Sequence, residues 1–167
     1  EAHRLDEEKL RAYLADHMDG IGVDITLHQF AVGQSNPTYM VATGGRDYVL
    51  RKKPPGTLLP SAHAVDREYR IMTALGSTTV PVPKTYLMCE DESVLGTAFF
   101  VMDKVEGRVL DDQFAPAFSP EDRSAVYDHL LEVLAAFHQV DHEAVGLGDF
   151  GRPGNYYIRQ INRWTKQ

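Results

Sequence analysis

The stretch FAVGQSNPTYMVATGGRDYVLRKKP, residues 30–54, holds residue types suited to binding a phosphate. Between two apolar runs lies Gly33-Gln34-Ser35-Asn36-Pro37-Thr38, which is small, polar and longer than a plain two-residue hairpin needs. Such a loop between antiparallel strands can turn backbone N–H groups toward a phosphate, and Ser35, Asn36 and Thr38 add side-chain donors. An ordinary long hairpin loop has the same composition, so the loop alone does not decide. Arg51 falls near the end of the following apolar run, on the same strand face as Val49 by alternation. Glu68 lies in a helical stretch where Val65, Glu68, Met72 and Leu75 are spaced three, four and three, so its carboxylate shares the stripe that should meet the sheet. A carboxylate on an apolar face is costly unless paired, and the preceding strand supplies basic partners. An Arg51–Glu68 pair beneath a phosphate-cradling loop is therefore expected. Glu68 turned outward beside Tyr69, pairing with Arg67 or Arg70, is the other arrangement these residues permit.

Positioning those groups requires a sheet with a helix on it. Residues 6–18 read as a helix capped by Asp6, with Leu10, Tyr13, Leu14 and His17 or Met18 on one side, ended by Gly20 and Gly22. Residues 25–32, 38–43 and 47–52 read as strands, the last two joined by Gly44-Gly45. The prolines of KPPGTLLP make a loop, and a helix runs from Ser61 to Leu75 with Gly76 as its stop. Two more strands follow, 85–90 and 97–103, linked by a turn rich in Asp, Glu, Ser and Gly. Residues 104–118 read as a linker. A long helix then starts at Ser119, with Pro120 in the first turn, Asp122 completing the cap and an apolar stripe of Val126, Leu130, Val133, Leu134 and Phe137. GLGDFGRPGN breaks it, and YYIRQINRWTKQ begins another helix.

Composition narrows the function classes. Of 167 residues, 43% are apolar and 25% charged, enough to build a core of one domain or a little more. A net charge of -7 argues against nucleic acid or an anionic membrane as the main partner. No apolar run approaches the ~18 residues of a membrane helix, and no signal peptide is evident. Cys89 is the sole cysteine and reads as a buried thiol, a usage that fits a reducing, cytoplasmic compartment. His138 ends a core helix and reads as packing or a cap, while His63 reads as an exposed polar residue. Asp111, Asp112, Asp141, Glu143 and Asp149 lack metal-ligand spacing.

The segments GQSNPTY, YVLRKKPPG, HAVDREYRIM, VPVPK, FFVMDKVEG and GNYYIRQINRWTKQ resemble, in order, those of the aminoglycoside phosphotransferase and choline kinase-like superfamily. Within it the chain most resembles the kinase-like domain joined to acyl-CoA dehydrogenases in some proteins. The resemblance covers nearly the whole chain. It implies an α+β, protein-kinase-like fold, with about five antiparallel strands and a helix in a small lobe at residues 1–106. The linker and first helices of an incomplete helical lobe would occupy residues 107–167. ATP, with magnesium, would lie between the lobes, and GTP is not distinguished from it. Arg51 would hold the α- and β-phosphates and Glu68 would orient it, as Lys and Glu do in such folds. Arg in place of Lys is a departure, but its fork can contact phosphate and carboxylate together. Lys52, on the opposite face of a regular strand, ranks behind it. Ser35 and Asn36 would lie near the phosphates, Met102 at the back of the adenine pocket, and the backbones of Asp103 and Val105 along the adenine edge.

By the same resemblance the chain is the ATP-binding half of a small-molecule kinase acting on a substrate hydroxyl. The acceptor would be a hydroxylated acyl compound, an aminoglycoside or another amino alcohol. The family's H-G-D-x-x-x-x-N loop and later magnesium-binding Asp have no match in residues 1–167, so no catalytic residue or metal ligand is assigned. Expected consequences are inactivity of these residues alone and association, dimerisation included, through the exposed apolar stripe. The alternative reading is a non-catalytic nucleotide-binding or scaffold domain of the same fold.

Overall fold

The computed structural model describes residues 5–21, 24–30, 35–56, 58, 62–110, 112 and 114–166. Gly22, Gly33, Gln34, Ser61 and Asp111, named above, and the strand end at 31–32 lie outside the described residues. The chain opens with helix α1 (Glu7–His17), whose first turn is held by Asp6 accepting from the Lys9 N–H at 3.1 Å. Five strands follow, β1 (Ile25–Gln29), β2 (Thr38–Thr43), β3 (Tyr48–Lys52), β4 (Thr85–Cys89) and β5 (Phe99–Asp103), in one antiparallel sheet of order β1-β2-β3-β5-β4. β3 is thus the central strand. Helix α2 (Val65–Leu75) lies between β3 and β4 in sequence, and α4 (Pro120–His138) and α5 (Tyr156–Thr165) close the chain.

Strand alternation divides the work of the sheet between its faces. Tyr48, Leu50, Phe99 and Val101 join Leu10 and Leu14 of α1 in the main core, where Leu50, Phe99, Leu10 and Leu14 are completely inaccessible. Val49, Arg51, Phe100 and Met102 belong to the other face by the same alternation. There α2 packs on β4 and β5, with Tyr69 tilted against Phe100 at a centroid distance of 5.9 Å. Val65 and Leu75, the ends of the stripe that carries Glu68, are buried.

Three local expectations need correction. Residues 91–96 form a single helical turn, α3 (Glu92–Leu95), rather than a plain turn. Asp91 caps it by accepting from the Ser93 N–H at 2.8 Å, and Gly96 ends it at φ +79°, a left-handed conformation that favours glycine. The second helix starts at Val65 because residues 62–63 form a turn, and its N-cap Ala64 has no side chain able to cap it. Strand β4 ends at Cys89, so Glu90 falls outside it, whereas Phe30 just after β1 still donates its N–H to Thr38 O at 3.0 Å.

Helix α4 starts as its residues dictate, with the Asp122 N–H donated to Ser119 Oγ at 3.1 Å and Pro120 in the first turn. No residue of α4 or α5 is buried. Leu130, Leu134 and Phe137 of the stripe are about half exposed, and Tyr157 and Trp164 of α5 more so. The load on the fold therefore rests on the sheet and α1. Phe99→Ala should cost about 3–5 kcal/mol, whereas Leu130→Ala should cost far less. Urea midpoints at constant slope would measure both.

Candidate functional site

The central strand and α2 bring the two predicted charges together. Arg51 Nε donates to Glu68 Oε2 at 2.5 Å, and Arg51 Nη2 lies 3.4 Å from Glu68 Oε1. The arrangement is a fork on a carboxylate, with both side chains about one-third exposed. Neither partner is dry, so full desolvation of the charges is not incurred. The strand register fixes the third member: Thr38 stands opposite Arg51 in the β2–β3 ladder, and its Oγ1 accepts from Arg51 Nη1 at 3.2 Å.

Asn36 extends the network into the loop. Its side chain is 2% exposed, an unusual place for an amide, and both ends have partners. Nδ2 donates to Glu68 Oε1 at 2.8 Å, and Oδ1 lies 2.9 Å from His63 Nδ1. The Asn36 carbonyl accepts from Thr38 Oγ1 at 3.0 Å. The loop is thereby tied to the ion pair from above. Ser35, next to it, is exposed.

The remaining predicted residues lie on β5 and beyond it. Met102 is half-buried, opposite Val49 in register, on the face that carries Arg51. The Asp103 side chain turns to the other face, where it accepts from Arg46 Nη2 and Tyr86 Oη, each at 2.6 Å. Burial, then the hydrogen bond to Asp103, pushes the Tyr86 phenol up to about 12. The Asp103 N–H is donated to Lys84 O at 2.8 Å. Val105 is 69% exposed in the segment leading away from the sheet. The structure thus gathers Asn36, Arg51 and Glu68 into one hydrogen-bonded unit, with Met102 on the same face. Asp103 and Val105 follow at the strand end without joining that unit.

Sequence reasoning missed two features. His63 is half-buried and bonded to Asn36 rather than free in solvent, and no periodicity could reveal a partner 27 residues away across a loop. Arg67 and Arg70 do not compete for Glu68. Arg67 lies over the Phe150 ring at 3.8 Å and donates to the Phe150 carbonyl at 3.0 Å. Arg70 pairs with Asp149 and donates to Gly146 O at 3.0 Å. Its hydrogen bond holds the exposed Asp149 carboxyl below the ordinary carboxylate range. The outward face of α2 therefore grips residues 146–150, while its inward face carries Glu68.

Lys52 sits on the opposite face from Arg51, as alternation requires. It is 6% exposed, and Nζ donates to Thr97 Oγ1 at 2.5 Å. Burial pushes its ammonium below the usual lysine value.

A family model described as "Phosphotransferase enzyme family" matches residues 26–167. Acyl-CoA dehydrogenase family member 11 of Rattus norvegicus is 46% identical over 169 residues, covering 99% of this chain and 22% of that protein. A solved structure from Ralstonia eutropha JMP134, provisionally assigned as an aminoglycoside phosphotransferase, is 51% identical with a TM-score of 0.81. That match covers 98% of this chain and 47% of the other. A thermostable mutant of aminoglycoside phosphotransferase APH(4)-Ia, in ternary complex with AMP-PNP and hygromycin B, shares the fold at 20% identity and a TM-score of 0.55. That match covers 81% of this chain and 40% of the other. The chain thus spans about a fifth of the curated relative's length, just under half of the first solved chain and two-fifths of the second.

The burial of Lys52 gives a pH signature. Its folded pKa lies below the unfolded value near 10.5, so within that window the unfolded chain binds more protons and stability rises with pH. Lys52→Met should abolish this rise while leaving stability at neutral pH equal or higher. The difference in urea stability between the two proteins, followed from neutral pH up to the ordinary lysine value, would show it, since other titrating groups are common to both. The raised Tyr13 and Tyr86 phenols act with the opposite sign, and only above their ordinary value of 10.0.

Proposed function

Since the chain belongs to the phosphotransferase enzyme family, we propose that its sheet and α2 form the nucleotide-binding half of an ATP-dependent small-molecule kinase. The reaction would transfer a γ-phosphoryl group to a substrate hydroxyl. The observation that carries the reading is the Arg51–Glu68 fork under the Asn36–Thr38 loop. Arg51 has five N–H donors; those not directed at Glu68 and Thr38 are available to the α- and β-phosphates. Glu68 keeps the guanidinium from following solvent and fixes its plane. Asn36 has both side-chain ends engaged, so it acts through Glu68, and the phosphate-facing groups of the loop are backbone N–H groups and Ser35.

Met102, half-buried on the Arg51 face, supplies an apolar surface for an adenine ring. The Asp103 N–H is committed to Lys84 O, so its carbonyl is the group it would offer to the adenine amino edge, with the Val105 N–H donating beside it. Residues 1–106 would then make the nucleotide lobe and 107–167 the connection and first helices of a second lobe.

Magnesium is not assigned ligands here. Among the described residues no three His, Cys, Asp or Glu side chains gather in a way that could hold an ion. The H-G-D-x-x-x-x-N pattern is likewise absent from residues 1–167. No transfer step is therefore routed through either group. A small hydroxylated acyl compound is the favoured acceptor, because the family-member-11 relative is named for an acyl-CoA dehydrogenase. Aminoglycosides and other amino alcohols are the comparison substrates.

Mg-ATP should raise the melting temperature of the intact protein, and Arg51→Ala should abolish that rise without lowering the ligand-free value appreciably. Turnover by the same variant should fall about 10²-fold or more, the usual cost of one lost charge-stabilising donor. A thermal-shift series with Mg-ATP, Mg-GTP and no nucleotide, followed by coupled ADP release, measures both. Normal turnover by Arg51→Ala would remove Arg51 from the phosphate site. Residues 1–167 alone should release no ADP in the presence of these acceptors, because the H-G-D-x-x-x-x-N pattern expected to position an acceptor hydroxyl does not occur in their sequence.

A further inference from the structure

We infer that His63 is a positioning residue for the phosphate-binding arginine, acting through Asn36 and Glu68; the inference rests on the function proposed above. The chain of contacts runs His63 to Asn36 to Glu68 to Arg51, at 2.9, 2.8 and 2.5 Å. Its polarity is forced. Asn36 Nδ2 is the end that meets the carboxylate, since an amide oxygen there would face another acceptor. Oδ1 is therefore the end that meets the imidazole, and an amide oxygen only accepts. His63 Nδ1 must carry the proton. The ring holds Asn36 in the one orientation that gives Glu68 a donor, and a reversed amide would repel the carboxylate that aligns Arg51.

The backbone supports the same assignment. His63 adopts φ +56°, a left-handed conformation that few non-glycine residues take and that tends to mark functional sites. Its carbonyl accepts from the Val65 N–H at 2.9 Å, at the first residue of α2. Ring and carbonyl together fix the loop's amide and the start of the helix that bears Glu68, one turn further on. Asn36 is buried with the ring in place, and His63 is the partner of its Oδ1.

Two substitutions separate this role from simple packing. His63→Gly deletes the ring at no conformational cost for a positive φ. His63→Asn also tolerates that φ, and its Nδ2 can occupy the place of the imidazole Nδ1–H. In the intact protein, His63→Gly should weaken Mg-ATP binding about tenfold, the equivalent of one buried hydrogen bond left unmade, and His63→Asn should restore most of it. In an Asn36→Ala background, His63→Gly should have no further effect. A nucleotide-free readout comes from the Arg51 Nε–H in ¹⁵N NMR, whose exchange with water should quicken in His63→Gly and slow again in His63→Asn. Unchanged exchange in His63→Gly, or equal exchange in the two variants, would overturn the inference. Exchange that follows the pattern in a protein that binds no nucleotide would support the positioning chain and count against the proposed function alone.

Discussion

The Arg51–Glu68 fork is the constraint around which the sheet and α2 are arranged. It places two charges on a sheet face otherwise made by residues such as Val49 and Phe100. At about one-third exposure the pair keeps part of its hydration, so its contribution to stability is small. Orientation is what it supplies. A guanidinium fixed at Nε by Glu68 and at Nη1 by Thr38 has little freedom left, and its plane is set before any ligand arrives. Central placement of β3 reinforces this, because ladders on both sides, to β2 and β5, prevent the strand from rolling.

Helix α2 carries the acid, and its position is held from two directions. On the inward side Val65 and Leu75 bury against the sheet, and Tyr69 meets Phe100. On the outward side Arg67 and Arg70 reach residues 146–150, beyond α4, through a stacked guanidinium, two carbonyl contacts and the Asp149 pair. Each exposed contact is weak alone, yet together they connect the sheet half of the molecule to the helical half through the helix that sets the fork.

Much of this was legible because it follows from periodicity. Parity along β3 alone separated Arg51 from Lys52, and the buried Lys52 on the α1 face shows how completely one residue of shift changes an environment. The three-four-three spacing placed Glu68, and Ser119 with Pro120 and Asp122 fixed the start of α4. What stayed hidden depends on contacts between distant loops. Asn36 reads as a phosphate donor in a polar loop, and only its burial and its two partners reveal an internal role. His63 has no periodic signature, since it precedes the helix in a left-handed turn. The turn after β4 became α3 because Asp91 can cap and Gly96 can stop, even over four residues.

The two halves of the chain are unequal in how they are held. Residues from Leu10 to Val101 close a continuous core around the sheet, so the fork rests on a part of the molecule that satisfies its own apolar surface. Helices α4 and α5 bury no residue, although Val126, Leu130, Val133, Leu134 and Phe137 follow helical spacing as closely as any core stripe. Pattern and burial therefore disagree in the helical half and agree in the sheet half. The difference has a mechanical consequence. Strand β3 holds the Arg51 backbone irrespective of α4, whereas the outer grip on α2 runs through the 146–150 segment, in which Leu147 and Phe150 line a cavity with Phe137, Val140, Ile71 and Leu75. The geometry of the Arg51–Glu68 fork is thus set in the well-packed half, and α2, which carries Glu68, is the element that also touches the other.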